Sequence, residues 1–224
     1  MTKAPPPSAG LRDITFYFDV VSPYAWLAFQ KLPQVLEGIS YNLSYKPLLL
    51  AGLLKHHGQL GPAEIAGKRE WTYRQVLWLA HQHGIELKLP LRHPFNPLPL
   101  LRLAVACDAQ GMPNRHVCET LLRHVWCGGA DAADESRLAE VTARLAPQRA
   151  PGSAEVKADL KAHTDEAIAR GVFGVPTIAV DGKLFWGLDA LPMLRAWLLG
   201  DAWFDTPDWD AARQIESGAT RPKP

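Results

Sequence analysis

The chain has 224 residues, of which 47% are hydrophobic and 21% are charged. These proportions are typical of a globular protein and exclude a chain that is disordered throughout. The 24 basic and 23 acidic side chains give a net charge of +1, which leaves no basic excess for binding nucleic acid or an anionic membrane surface. Because the sequence shows neither an apolar signal segment nor an apolar run of membrane-spanning length, we expect a cytoplasmic protein.

The cysteines argue against a disulfide-stabilised or metal-binding protein. There are three of them, Cys107, Cys118 and Cys127, and no two have the Cys-x-x-Cys spacing. A reducing compartment is therefore expected. His124 and Cys127 lie three residues apart, but no second pair accompanies them, so we expect no metal site.

The N-terminal part predicts a strand, a helix and a second strand. Residues 14–19 are β-branched and aromatic, which is typical of a strand. Ser22 followed by Pro23 is a strong helix-start pattern, with serine at the N-cap and proline in the first turn, and the helix is expected over 24–36. Alternating residues over 41–45 predict the second strand.

Helical spacing dominates the middle of the chain, and a hairpin follows it. We predict helices over 64–83, 98–109, 114–126, 134–145 and 153–170. Two short apolar runs, 177–180 and 183–186, are joined by Asp181-Gly182, which favours a type I′ hairpin turn. A closing helix is expected over 189–199.

This order predicts an α/β fold with one mixed sheet of about four strands, because neither β half forms a stable sheet alone. The split halves are the thioredoxin arrangement. We expect a thioredoxin-like domain formed by residues 14–50 and 171–200, with an all-helical domain inserted at 51–170. A flexible N-terminal segment at 1–13 and a C-terminal tail at 201–224 complete the chain.

Two places could carry chemistry. Ser22 lies where a strand meets a helix, and the amides and dipole at a helix N-terminus stabilise a thiolate or another anion. The alternative is that Ser22 is only an N-cap. Pro176 opens a strand; if the Val175–Pro176 bond is cis, the Val175 backbone can pair with an extended ligand, and the alternative is a trans-proline at a strand edge.

Three segments resemble 2-hydroxychromene-2-carboxylate isomerases and kappa-class glutathione transferases. They are FYFDVVSPY at 16–24, GVFGVPT at 171–177 and FWGLD at 185–189. KPLLL at 46–50, Lys68 and Phe95-Asn96 are similar to landmarks in the middle of that family. The resemblance runs from about residue 14 to 199. It implies a thioredoxin-like domain with an inserted all-helical lobe, as in DsbA.

The resemblance implies glutathione as the cofactor. Ser22-Pro23-Tyr24-Ala25 occupies the place of the superfamily's Cys-x-x-Cys, so an external thiol must supply the sulfur. In the similar enzymes that thiol is glutathione. By this resemblance, Ser22 is the catalytic residue and donates a hydrogen bond to the glutathione sulfur.

The resemblance also implies how the rest of glutathione is held. Val175, before a cis-Pro176, is expected to pair with the cysteinyl part. Leu188 and Asp189 are expected to hold the γ-glutamyl end. Leu188 departs from the family, which often has a polar Asn or Gln there, so only its backbone can serve. Asp189 can alternatively be a plain N-cap, which is compatible with this role.

Residues of the inserted lobe complete the expected site. Lys68 is implied to bind a carboxylate of glutathione or substrate, and the alternative is a solvated helix lysine. Asn96 is implied to contact glutathione, and the alternative is a turn residue. Tyr24 and Trp26 are bulky aromatics expected to shape the substrate site.

Three functions remain open. The first is a glutathione-dependent isomerase of aromatic catabolism, acting on an unsaturated aromatic 2-oxo or hemiketal acid by reversible thiolate addition. The second is a kappa-type transferase that leaves glutathione on an electrophile. The third is a non-catalytic thioredoxin-fold protein that binds peptides. A disulfide oxidoreductase is disfavoured because Ser22 and Ala25 cannot form a disulfide. The similar enzymes imply a homodimer.

Overall fold

The computed structural model describes residues 10–216 and 218. Four strands form one sheet: β1 (Arg12–Phe18), β2 (Tyr41–Pro47), β3 (Thr177–Val180) and β4 (Lys183–Trp186). The α-helices among these residues are α1 (Pro23–Val35), α2 (Leu50–His57), α3 (Ala66–His83), α4 (Leu98–Ala106), α5 (Arg115–Trp126), α6 (Glu135–Leu145), α7 (Ala154–Ala169), α8 (Leu191–Leu198) and α9 (Pro207–Ala211).

The sheet has the order β2-β1-β3-β4. β1 and β2 are parallel and connected through α1, whereas β3 is antiparallel to both β1 and β4. The hairpin between β3 and β4 turns at Asp181 and Gly182, with φ values of 51° and 74°. Positive φ at both positions is the type I′ geometry. The predicted four-stranded mixed sheet and thioredoxin-like fold are confirmed.

α1 forms where the sequence predicts it and places its N-terminus at the end of β1. Ser22 is the N-cap, and Pro23 occupies the first turn. The helix ends at Val35, two residues after Pro33, which removes a backbone donor from its last turn. Phe29, on the buried face, packs against Phe16 of β1 with ring centroids 6.3 Å apart.

The helical lobe shares a hydrophobic core with one face of the sheet. Phe16 of β1, Val76 of α3, Trp126 of α5 and Val156 of α7 belong to the same buried cluster. The predicted domain boundaries at 51 and 171 therefore cross a continuous core, and the division into two units stays a prediction.

Besides shifts of a few residues at element ends, the structure differs from the predicted elements at α2 and in the C-terminal tail. α2 was not predicted; its first amide, at Leu50, donates to the buried Asp19 carboxylate at 2.8 Å, a distant partner that local pattern does not reveal. α4 ends at Ala106 rather than 109.

In the predicted C-terminal tail, the 3₁₀ segment Ala202–Asp205 and α9 are ordered elements. Phe204 is buried and packs against Phe185 of β4 with ring centroids 6.3 Å apart. The described part of this segment therefore covers the edge strand with aromatic side chains. Residues 1–9, most of the predicted flexible segment, lie outside the described residues, and β1 begins just after them at Arg12. No helix in the described part of the chain has the length and apolar character needed to cross a membrane.

Candidate active site at the N-terminus of α1

Ser22 connects the two motifs that the sequence singles out. Its hydroxyl oxygen accepts a hydrogen bond from the Ala25 amide at 3.3 Å, which is the N-cap contact. The same hydroxyl donates to the Val175 carbonyl at 3.4 Å, across 153 residues of sequence. Ser22 is 6% exposed and Val175 is 8% exposed. The structure thus brings together the start of α1 and the loop before β3.

The Val175–Pro176 peptide bond is cis, as the family resemblance implies, and the trans alternative is wrong. The Pro176 carbonyl accepts from the Gly187 amide at 2.9 Å. The amides of Val175 and Tyr24 donate to no acceptor in residues 10–216. Two unpaired backbone donors therefore accompany the Ser22 hydroxyl, a combination suited to an anion or an extended ligand.

Asp189 lies near the same helix end. Burial, followed by the negative charge of Asp189, raises the pKa of the Tyr24 phenol. Asp189 is exposed and forms no hydrogen bond or ion pair with the residues that the structure describes. Its predicted alternative role as an N-cap is wrong, because the N-cap of α8 is Ala190 and no side chain caps this helix. The Asp189 carboxylate is left available to a ligand.

Among the described residues, no hydrogen bond joins Leu188, Lys68 or Asn96 to Ser22. Leu188 packs against the core, and its carbonyl accepts from the Leu191 amide at 3.2 Å. Lys68 is exposed in the first turn of α3. The Asn96 side chain accepts from the Leu98 amide at 3.1 Å, which is the turn role that the sequence left open. Binding of glutathione by these three residues stays a prediction.

The two aromatics that follow Ser22 have different surroundings. The Tyr24 hydroxyl donates to Gln75 of α3 at 2.6 Å, so Tyr24 bridges α1 and the helical lobe. Trp26 is 1% exposed, and its indole donates to the Glu86 carbonyl at 2.9 Å. The expectation that Trp26 shapes the substrate site is therefore wrong: it is a core residue, because its place on α1 faces inward.

Asp19 is a site residue that sequence reasoning missed. It is fully buried at the end of β1, three residues before Ser22. Its two carboxylate oxygens accept from the amides of Val21 at 3.0 Å and Leu50 at 2.8 Å. Burial raises the pKa of Asp19 to about 7, and the two amide hydrogen bonds oppose this increase only in part. The available signal was an acidic residue directly after an apolar strand.

The site contains no thiol of its own. Cys107 follows α4, Cys118 is buried in α5, and Cys127 follows α5, so all three lie in the helical lobe. Burial is the main cause that raises the pKa of each thiol. The described residues contain no group of three His, Cys, Asp or Glu side chains placed to hold a metal ion.

Residues 13–198 match the family model of the DSBA-like thioredoxin domain. The chain belongs to this family. Curated relatives include glutathione S-transferase kappa 1 of Rattus norvegicus, 27% identical over 212 residues, which cover 86% of this chain and 92% of the relative. Another is 2-hydroxychromene-2-carboxylate isomerase of Sphingobium xenophagum, 29% identical over 200 residues, which cover 84% of this chain and 98% of the relative.

A solved structure of a 2-hydroxychromene-2-carboxylate isomerase superposes with a TM-score of 0.73 at 25% sequence identity. The match covers 88% of this chain and 98% of that protein. The family resemblance and the inserted-helical variant of the thioredoxin fold are thereby confirmed. The relatives carry two different activity names, so kinship alone does not select between an isomerase and a transferase.

Proposed function

We propose that this protein is a glutathione-dependent isomerase that resembles 2-hydroxychromene-2-carboxylate isomerase and acts on an unsaturated aromatic 2-oxo or hemiketal acid. One observation carries the proposal: a serine hydroxyl, bonded to Val175, lies where this superfamily places a thiol, and the chain's own thiols lie in the helical lobe. Glutathione would supply the missing nucleophile, a thiolate that adds reversibly to the unsaturated acid. The proposal includes a cytoplasmic homodimer with a role in aromatic catabolism.

The unpaired polar groups around Ser22 fit glutathione. Within the described part of the chain, the Tyr24 and Val175 amides are unpaired donors beside the hydroxyl, and Asp189 is an unpaired acceptor. An α-ammonium group such as that of a γ-glutamyl residue forms a charge-assisted hydrogen bond with a carboxylate. The Val175 amide suits the backbone of an extended peptide. The chain therefore offers complementary groups for the γ-glutamyl ammonium group and for the cysteinyl backbone of the ligand.

Ser22 and the α1 terminus would lower the pKa of the bound thiol. A free thiol has a pKa near ~8.5, so most of it is protonated at neutral pH. A hydroxyl donor and a helix N-terminus both favour the thiolate. The present Ser22–Val175 hydrogen bond, at 3.4 Å, is long for a hydroxyl donor, so redirecting it to a thiolate costs little.

A kappa-type glutathione transferase is the second candidate, favoured by the relatives that carry that name. Two assays separate the candidates. Repeated turnover of 2-hydroxychromene-2-carboxylate at glutathione far below the substrate concentration supports the isomerase. Stoichiometric conjugation of glutathione to dinitrochlorobenzene, without isomerisation, supports the transferase. Absence of glutathione binding would leave the peptide-binding protein, to which the free Val175 amide is also suited.

Replacing Asp189 with asparagine is expected to weaken glutathione binding roughly 10- to 100-fold, because a hydrogen bond to a charged group contributes about 1.5–3 kcal/mol. The Kd is measured by calorimetric titration. Asp181→Asn is the matched control. Asp181 is also an aspartate beside β4, but it precedes the strand, whereas Asp189 follows it, and its carboxylate pairs with Arg12. Equal weakening in both variants, or in neither, would contradict the assignment of Asp189 to the ammonium group.

A further inference from the structure

The loop that carries Ser22 is held by side chains from outside it. The Val20 carbonyl accepts from the Trp126 indole at 2.9 Å, and the Val21 carbonyl lies 2.7 Å from His93 Nε2. The Val21 amide donates to Asp19 at 3.0 Å. Both polar groups of residue 21, the neighbour of Ser22 in sequence, are therefore fixed by side chains.

The contact with Val21 determines which ring nitrogen of His93 donates. A carbonyl oxygen only accepts, so Nε2 must carry the hydrogen that points to Val21. Nδ1 lies 2.8 Å from the Tyr73 hydroxyl, which also donates to the His93 backbone carbonyl at 3.1 Å. Burial lowers the pKa of His93, which is consistent with a neutral ring. Nε2 is therefore the donor to Val21, and Nδ1 faces the Tyr73 hydroxyl.

The ring itself is held in place by packing. The His93 and Trp126 rings have centroids 5.3 Å apart, and the Phe95 ring centroid lies 6.1 Å from that of His93. Tyr73 belongs to α3 and Trp126 to α5, so two helices of the inserted lobe contribute to one contact with the β1–α1 loop. The imidazole is too constrained to turn away from Val21 without disturbing several side chains.

We propose that His93 is a positioning residue for Ser22. By its hydrogen bond to the Val21 carbonyl, this residue of the helical lobe fixes the position of the Ser22 hydroxyl at the N-terminus of α1. The inference rests on the proposed glutathione-binding function. The Val21 amide is bonded to Asp19 and the Val21 carbonyl is bonded to His93, so removing the His93 side chain breaks one of the two hydrogen bonds that fix residue 21. A displacement of about 1 Å at a catalytic group can reduce rates by up to roughly 100-fold.

The test uses glutathione alone as the probe and follows thiolate absorbance near about 240 nm as a function of pH. His93→Phe keeps a planar ring but loses the donor, and we expect at least a roughly tenfold smaller ratio of thiolate to thiol at fixed pH. His93→Gln retains an amide donor and is expected to restore most of the signal. Tyr73→Phe, which removes the hydroxyl that contacts Nδ1 and the His93 carbonyl, should give a smaller loss in the same direction and serves if His93→Phe does not fold.

His124→Phe is the matched control. His124 is also a partly buried histidine of the lobe whose Nε2 lies 3.0 Å from a backbone carbonyl, that of Ala132, but Ala132 is remote in sequence from the Ser22 loop. This variant should be destabilised similarly while the thiolate ratio stays unchanged. A reduced ratio in both histidine variants would indicate a general loss of stability and overturn the inference.

A double-variant comparison tests whether His93 acts through Ser22. If it does, His93→Phe added to Ser22→Ala causes little further loss of thiolate, so the two effects are non-additive. Full additivity would overturn the positioning role. A wild-type protein that binds glutathione as thiolate, together with an unchanged His93→Phe variant, would overturn this inference alone. A wild-type protein without any thiolate signal would overturn the proposed function and this inference with it.

Discussion

Replacing Asp19 with alanine is expected to lower the free energy of unfolding by about 4 kcal/mol at pH 5. The substitution leaves the partly buried amides of Val21 and Leu50 without their acceptor, and a donor left unsatisfied away from water costs about 1–3 kcal/mol. Chemical denaturation monitored by fluorescence measures this difference. Asp134→Asn is the control, because Asp134 is an exposed N-cap of α6 and asparagine caps equally well.

The same carboxyl group should make wild-type stability depend on pH. The pKa of Asp19 is about 7 in the folded protein, above the value of about 3.9 in an unfolded chain. Between these values the folded state binds a proton that the unfolded state has released. Stability from this group is therefore fully present below about pH 4, falls as the pH rises towards 7, and levels off above it.

The folded and unfolded pKa values of Asp19 differ by about three units, which corresponds to about 4 kcal/mol. The loss of unfolding free energy caused by Asp19→Ala should therefore be markedly smaller at pH 8 than at pH 5. Asp19→Asn keeps one acceptor and cannot titrate, so its unfolding free energy should lose this component of the pH dependence. A cost of Asp19→Ala that is the same at pH 5 and pH 8 would contradict the raised pKa. A cost below about 1 kcal/mol at pH 5 would contradict the assignment of the two buried amide hydrogen bonds.

Under the proposed function, replacing Ser22 with alanine is expected to reduce kcat/KM for 2-hydroxychromene-2-carboxylate by roughly 100- to 1,000-fold. This is the usual effect of removing one hydrogen-bond donor directed at a developing or reacting anion. The fold should survive, because losing an N-cap side chain costs only about 1 kcal/mol. Initial rates at saturating glutathione provide the measurement.

Ser153→Ala separates the capping role of Ser22 from its proposed catalytic role. Ser153 caps α7 in the same way as Ser22 caps α1, with its hydroxyl accepting from the Val156 amide at 3.3 Å. Both variants should lose similar stability, and only Ser22→Ala should lose activity. Equal activity in the two variants would mean that Ser22 is an N-cap alone.

Local pattern predicted most of the fold because the decisive features are local. Ser22-Pro23 marks the start of α1 through capping geometry, and Asp181-Gly182 marks the hairpin through its positive φ values. The start of α2 was missed because no side chain caps it and its first amide is bonded to Asp19, a partner 31 residues away. The family resemblance, rather than any local pattern, indicated the cis bond before Pro176.

The side chains that bond to the loop before Ser22 were also missed because they come from distant parts of the sequence. His93, in a proline-flanked loop, and Trp126, at the end of a predicted helix, have no sequence pattern that connects them to Val20 or Val21. Periodicity identified α1 as a helix but did not distinguish Tyr24, which reaches Gln75, from Trp26, which enters the core. Side-chain contacts between distant segments required the structure.

Calorimetric titration of glutathione into the wild-type protein, with thiolate absorbance followed in parallel, tests the central claim most directly. The account predicts saturable binding with a thiolate signal at neutral pH, and a much smaller thiolate signal in Ser22→Ala. No binding at millimolar glutathione, or binding of the protonated thiol that Ser22→Ala leaves unchanged, would contradict it.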